Sequence, residues 1–196
     1  HRQRHGTFAA AQVVVGSPIF GENEVNINNG RPVTIHRRIT LEDNPFAHDH
    51  KIGPNPVLPA TCASGWLISA CEASYPGWHF SRLLDFKVLK GVTFDGKIQE
   101  YEITLEKQET NTGEKVIEAV VTSATDKGRR IFHYSSTVIL SRELPSAPVH
   151  PVTGFAKLAM VEGSNFYEDG TLFHGPLFRG IQQVAFDQRE KVITKI

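Results

Sequence analysis

Residues 60–73 carry no charge except Glu72, and their side chains are apolar or small at almost every position. Cys62, Ala63, Gly65, Trp66, Leu67, Ile68, Ala70 and Cys71 fall all round a helical projection, so a helix over 61–72 is expected to be buried on most faces. Pro59 suits the first turn of such a helix, where a missing N–H costs nothing, and Tyr75-Pro76-Gly77 stops it. Outside this segment the period changes to two. Residues 10–15 and 32–40, rich in Val, Ile and Thr, read as strands with Asn28-Asn29-Gly30 as a turn between them. Residues 81–94, 97–107, 114–124 and 129–140 read as four long strands. They are joined at Asp95-Gly96, Asn111-Thr112-Gly113 and Asp126-Lys127-Gly128, all hairpin chemistry.

One buried helix followed by an antiparallel meander, with strands before it, predicts an α+β layout in which a sheet wraps a central helix. Residues 41–56 carry three prolines and little periodicity, so they read as loop with short local structure. Pro145, Pro148 and Pro151 stiffen a linker, and a new unit begins beyond it that 196 residues do not complete.

Charge narrows the partners. Lys plus Arg number 21 and Asp plus Glu number 21, so no net field points to nucleic acid or to a membrane surface. The basic opening His1-Arg2-Gln3-Arg4-His5 reads as a frayed end. No apolar run approaches the ~20 residues of a spanning helix, and no signal-peptide core is present. The 2 cysteines suggest a reducing, cytoplasmic setting; nine positions apart, Cys62 and Cys71 face opposite sides of one helix and are not expected to pair. The first residue is not Met and the 1 methionine is Met160, which suggests a piece of a longer polypeptide.

The candidate chemistry centres on His50. It ends a polar, proline-broken loop, and Pro59 opens the apolar helix nine residues later. This sets a titratable ring near a helix N-terminus, whose free N–H groups and dipole can hold a carbonyl oxygen. A base beside an electrophile-binding helix end suits removal of a proton alpha to a carbonyl.

Together, His50, Val57-Leu58-Pro59, the helix, the meander, the proline linker, Phe166-Tyr167 and His174-Gly175-Pro176-Leu177-Phe178 resemble the dehydratase domains of modular polyketide and polyunsaturated-fatty-acid synthases, the latter type more closely. Those domains are double hotdogs, two helix-in-sheet units in one chain. Their first unit carries H-x-x-x-G-x-x-x-x-P and their second opens with G-Y-x-Y-G-P-x-F. His50 and Pro59 match in type and spacing, while Gly53 stands one place early and Pro54 occupies the glycine position. Gly175, Pro176 and Phe178 match the second motif, with Thr171, Leu172 and His174 replacing glycine, tyrosine and tyrosine.

The resemblance implies a hotdog over 1–143, a proline-rich linker over 144–152 and the incomplete start of a second hotdog over 153–196. It implies dehydration of a 3-hydroxyacyl thioester to the 2-enoyl thioester, with His50 as general base. Gly53, Pro59, His174, Gly175 and Pro176 would border the substrate. The acid would be an aspartate beyond Ile196, so the chain alone would be inactive. The substrate would ride on the phosphopantetheine arm of an acyl carrier protein, with no metal or organic cofactor, inside a multidomain synthase that can dimerise.

Two rival functions stay open. A non-catalytic pseudo-dehydratase that binds acyl chains or scaffolds its neighbours accounts for the altered glycine and tyrosines. A single-unit enoyl-thioester hydratase is suggested by Glu42-Asp43-Asn44-Pro45-Phe46-Ala47-His48, which resembles D-x-N-P-x-H, although Asn44-Pro45 also reads simply as a turn. His48 and His50 have the alternation of a metal pair but no further ligands at suitable spacing. Cys62 and Ser64 read as buried helix residues rather than nucleophiles. Trp66 and Leu67 read as core, Trp78, Phe80 and Phe86 as core or acyl tunnel, and Phe173, Leu177 and Phe178 as core residues of the second unit's first strands.

Overall fold

Helix α1 (Ala60–Ser74) buries Ala63, Trp66, Leu67, Ala70, Cys71 and Ser74, a stripe spaced by threes and fours. In the computed structural model, which describes residues 12–17, 21–26, 32–96, 99–108, 113–144, 146, 159–186 and 192–195, this stripe lies on one antiparallel sheet. The expectation of burial on most faces is therefore corrected. Cys62, Gly65, Ile68, Ser69 and Ala73 on the other side are only half-buried, because among the described residues the sheet covers one side of the helix. Cys71 is buried and its thiol is pushed up to about 12, mainly by desolvation and then by the Glu72 charge. Pro59 stands at the N-cap, one place ahead of the first turn, and its carbonyl accepts the Ala63 N–H at 3.0 Å. Tyr75 ends the helix by donating its N–H to the Cys71 and Glu72 carbonyls, and the Glu72 carboxylate accepts the Phe80 N–H at 2.7 Å.

The sheet contains β1 (Gln12–Ser17), β2 (Gly21–Asn26), β3 (Val33–Ile39), β6 (His79–Val88), β7 (Gln99–Gln108), β8 (Lys115–Ala124) and β9 (Arg130–Ser141) in the order β1-β2-β3-β7-β8-β9-β6. Every pairing is antiparallel. The inner face is the alternate set Val33, Ile35 and Ile39 of β3, Tyr101, Ile103 and Leu105 of β7, and Ile117, Ala119 and Val121 of β8. Arg37 shares that face. Its guanidinium lies 4.7 Å from the centre of the Trp66 ring, and burial lowers its pKa to about 10. A sheet curled on one central helix is the expected hotdog arrangement.

Two differences from the expected strands have local causes. The sequence pattern shows one strand before residue 30, whereas two are present. β2 reads Gly-Glu-Asn-Glu-Val-Asn, with one apolar side chain and no alternation to detect, and is held by pairing Val25 with Ile35 of β3. The expected turn at Asn28-Asn29-Gly30 lies outside the described residues, as does nearly all of the 144–152 linker. The strand expected over 81–94 is cut short at Val88. Val92-Thr93-Phe94 instead pairs with the segment before α1, through Leu58 N–H to the Val92 carbonyl at 2.8 Å and Phe94 N–H to the Pro56 carbonyl at 2.9 Å. Trp78, Phe80 and Phe86 are half-buried against the core, and Phe86 stacks on Tyr134 at 6.1 Å.

A second, three-stranded sheet of β10 (Met160–Glu162), β11 (Gln183–Phe186) and β12 (Val192–Lys195) follows, with the short helix α2 (Ser164–Glu168) between its first two strands. Gly163 is required there, because a Cβ would collide with the Ile181 carbonyl. Phe173, Leu177 and Phe178, expected in core strands, lie in no strand. Phe173 is 53% exposed and Leu177 70% exposed, and Pro176–Phe178 forms a 3-10 turn. Gly175-Pro176 breaks the extended path, and the backbone N–H groups of Gly175 and Leu177 are taken by Asp49 instead of a strand.

β9 also buries a histidine. His133 is 4% exposed, with Nδ1 3.0 Å from the Lys90 carbonyl and Nε2 2.8 Å from the Ser123 hydroxyl. Burial is the largest cause lowering its pKa, outweighing the Lys90 hydrogen bond, which raises it.

Two predictions follow from this packing. Trp66→Ala should lower unfolding free energy by about 3–5 kcal/mol, read from urea midpoints, since a large cavity opens between α1 and the sheet. A depressed histidine pKa means that the unfolded chain takes up a proton before the folded one does. Stability from His133 should thus be complete above about pH 6.5 and be lost as pH falls below that value. The urea midpoint should fall more steeply from pH 7.5 to 5.5 in the native sequence than in His133→Asn; equal slopes would remove His133 from the account.

Candidate active site

His50 is fixed by both its backbone and its ring. The 3-10 turn Pro45–Asp49 ends at it, with the His50 N–H on the Ala47 carbonyl at 3.1 Å. The His50 carbonyl accepts the Val57 N–H at 2.9 Å, and ring Nδ1 lies 2.8 Å from the Val57 carbonyl. A carbonyl only accepts, so Nδ1 must carry the hydrogen and the neutral ring leaves its lone pair on Nε2. Among the described residues no hydrogen bond engages that nitrogen. Between His50 and Val57 the chain turns back as a small hairpin of β4 (Lys51–Ile52) and β5 (Asn55–Pro56), which brings Val57 under the ring.

The other wall of the site comes from far along the chain. The His50 ring centre lies 5.1 Å from that of Phe173, 5.4 Å from that of His174 and 5.7 Å from that of Phe178. Phe173 stacks on His174 at 4.2 Å, and Phe46 meets Phe178 edge-on at 6.3 Å. Asp49 holds this segment in place. Its backbone carbonyl accepts the Gly175 N–H at 2.7 Å, and its carboxylate accepts the Leu177 N–H at 3.0 Å. A Cβ on Gly175 would collide with the Asp49 side chain, so only glycine allows this approach. His174 has its pKa lowered, first by desolvation and then by the charge His50 carries when protonated.

The arrangement offers a positioned imidazole with a free lone pair beside a second imidazole and two phenyl faces. A chain 31% identical over 202 residues belongs to the polyunsaturated fatty acid synthase of Thraustochytrium sp.; the match covers 97% of this chain and 7% of that one. Among solved structures, the dehydratase domain of a mycocerosic acid synthase-like polyketide synthase superposes with a TM-score of 0.69 at 18% identity, covering 94% of this chain and 63% of that one. The dehydratase domain from the CurF module of the curacin polyketide synthase gives 0.67 at 15% identity, covering 87% and 62%. No protein-family model matches the chain. The fold is that of a polyketide-synthase dehydratase domain.

Set in the dehydratase fold, the expected site residues separate into two groups. His50, His174 and Gly175 come together although His174 lies 124 positions after His50 in the sequence. Pro176 opens the exposed 3-10 turn beside them. Gly53 does not join them through any described contact. It sits exposed at the hairpin tip with φ +60, a backbone shape that favours glycine there whether or not it meets a substrate. Pro59 is buried at the head of α1.

The residues of the hydratase-like motif are used structurally. Asn44 is buried and donates to the Thr40 carbonyl at 2.8 Å, Thr40 and Asp43 bond each other, and Glu42 and His48 are both exposed. Of the residues that build this site, Asp49 had no assigned role in the sequence, and Phe173 and Phe178 were expected in core strands rather than beside His50. Only the adjacency of Asp49 to His50 hinted at its part.

The Asp49 clamp is measurable by amide exchange. Asp49→Ala should speed exchange at Leu177 by about tenfold or more, the usual weight of a charge-assisted hydrogen bond, while Asp49→Asn, which keeps an acceptor oxygen, should change it far less. Gly175→Ala should abolish the proximity of Phe173 to His50 in nuclear Overhauser spectra. Unchanged exchange and proximity in these variants would remove Asp49 from the site's construction.

Proposed function

We propose that this chain contributes the base-bearing unit of a dehydratase that converts a 3-hydroxyacyl thioester to the 2-enoyl thioester inside a fatty-acid or polyketide synthase. The observation that carries the reading is the His50 tautomer: Nδ1–H is spent on the Val57 carbonyl, so Nε2 is left with its lone pair as a proton acceptor. Nε2 takes the α-proton, the C–H electrons form the enolate and then the new double bond, and the β-hydroxyl leaves as water with a proton from an acid. The resemblance supplies an aspartate for that acid, downstream of Ile196. His174, beside His50, offers an N–H to a substrate oxygen, in the place where the family has a tyrosine. Phe173 and Phe178 supply an apolar wall that suits an acyl chain.

In this reading residues 1–143 form the first hotdog, and the three-stranded sheet from Met160 begins the second, with 144–152 between them. The thioester arrives on the phosphopantetheine arm of an acyl carrier protein, no metal or organic cofactor takes part, and the other domains of a cytoplasmic synthase are the lasting partners. No helix among the described residues is long and apolar enough to cross a membrane.

Within a complete synthase, His50→Ala should lower dehydration of a 3-hydroxyacyl carrier-protein substrate by ~10²–10⁴, with substrate binding little changed. An active enzyme whose rate is indifferent to His50→Ala would overturn the base assignment. A complete synthase that binds the acyl chain without turning it over would favour the pseudo-dehydratase.

A further inference from the structure

A second arrangement of hydroxyl and imidazole, which does not include His50, lies beside the hairpin that joins β8 and β9. These strands lose register between Val121 and Thr122, where Tyr134 and Phe132 are the partners and His133 is passed over. Such a bulge re-aims one side chain, and bulges of this kind recur beside active sites. Here it turns His133 inward next to Tyr134, with the Tyr101 ring edge-on at 5.0 Å. The freed His133 backbone carbonyl accepts the N–H groups of Leu89 and Lys90 at 2.8 and 3.2 Å.

The ring's own bonds fix its chemistry. Nδ1 lies against the Lys90 carbonyl and must donate to it, so Nε2 carries the lone pair and the Ser123 hydroxyl, 2.8 Å away, donates to it. This is the geometry of a hydroxyl nucleophile with its base, the base being held in turn by a third group. The pair opens on a cavity of about 960 Å³, and Ser123 is half-buried on its wall. Lys90 and Arg130 line the same cavity and can face a developing oxyanion; Asp126, Glu100 and Glu102 line it too, which disfavours an anionic ligand. The depressed pKa keeps His133 in its basic form at neutral pH.

We propose that Ser123 and His133 form a second site, at which the serine takes up an acyl group from an uncharged acyl ester. Ser123 Oγ bonds the acyl carbon while its proton passes to His133 Nε2. The bond to the leaving alcohol then breaks, and the imidazolium returns the proton to that alcohol. The product is an O-acyl serine, open to hydrolysis by water. No step uses His50, so the proposal stands apart from the dehydratase reading.

The test treats the folded chain with p-nitrophenyl acetate and locates acetyl groups by peptide mass spectrometry. Ser123 should be acetylated ~10²-fold or more faster than in the same chain unfolded in urea, the usual range for general-base assistance. His50→Ala should label Ser123 at the native rate, and His133→Gln should lose the acceleration. The native-to-unfolded ratio decides the matter without any variant. Acetylation of Ser123 no faster in the folded chain than in urea would overturn the proposal and leave the pair as a structural hydrogen bond.

Discussion

Burial of one stripe of α1 against the sheet is the constraint on which the remaining geometry depends. Trp66 and Leu67 are 1% and 0% exposed, and a buried Leu alone gains about 1.5–3 kcal/mol from leaving water. The strands β3, β7, β8 and β9 put their alternate side chains onto that stripe. With α1 fixed, Pro59 is fixed, and Leu58 and Pro56 pair with Val92 and Phe94 on the way in. Val57 lies between those two pairings, and its carbonyl is the atom that sets the His50 tautomer. The packing of a tryptophan in the core thus reaches the proton acceptor through a short run of backbone.

Most of the fold was legible because its signals are local. The charge-free run from Ala60 to Ala73 up to Glu72, its flanking Pro59 and Tyr75-Pro76-Gly77, and the turn at Asp126-Lys127-Gly128 each need only neighbouring residues to be read. β2 escaped because its polar composition carries no period and only β1 and β3 hold it extended. The one-sided burial of α1 escaped for the opposite reason. Small residues such as Gly65, Ser69 and Ala73 look the same whether packed or half-open, so composition alone cannot say which face is covered.

At the site, His50 was legible through its spacing to Pro59, and His174-Gly175-Pro176 through the second motif. What joins them was not. Asp49 is ordinary in sequence, and its role exists only because two N–H groups 126 and 128 positions later, those of Gly175 and Leu177, reach it. Phe173 and Phe178 looked like strand residues because aromatic side chains are enriched in strands. The Asp49 bonds hold that stretch out of any sheet and turn its rings towards a histidine.

The Leu177–Asp49 bond closes a loop spanning 128 positions, with the whole seven-stranded sheet but for its first three strands lying inside it. The entropy of closing such a loop grows only with the logarithm of its length, but the loop must close before this contact returns anything. Chain order then fixes a schedule. When a ribosome has released residues up to β9, His50 already has its tautomer from Val57, yet half its surroundings do not exist. Until Gly175 has been made, His50 therefore lacks the side of its surroundings that Phe173, His174 and Phe178 form, so its enclosure waits on the length of chain made rather than on the making of the core.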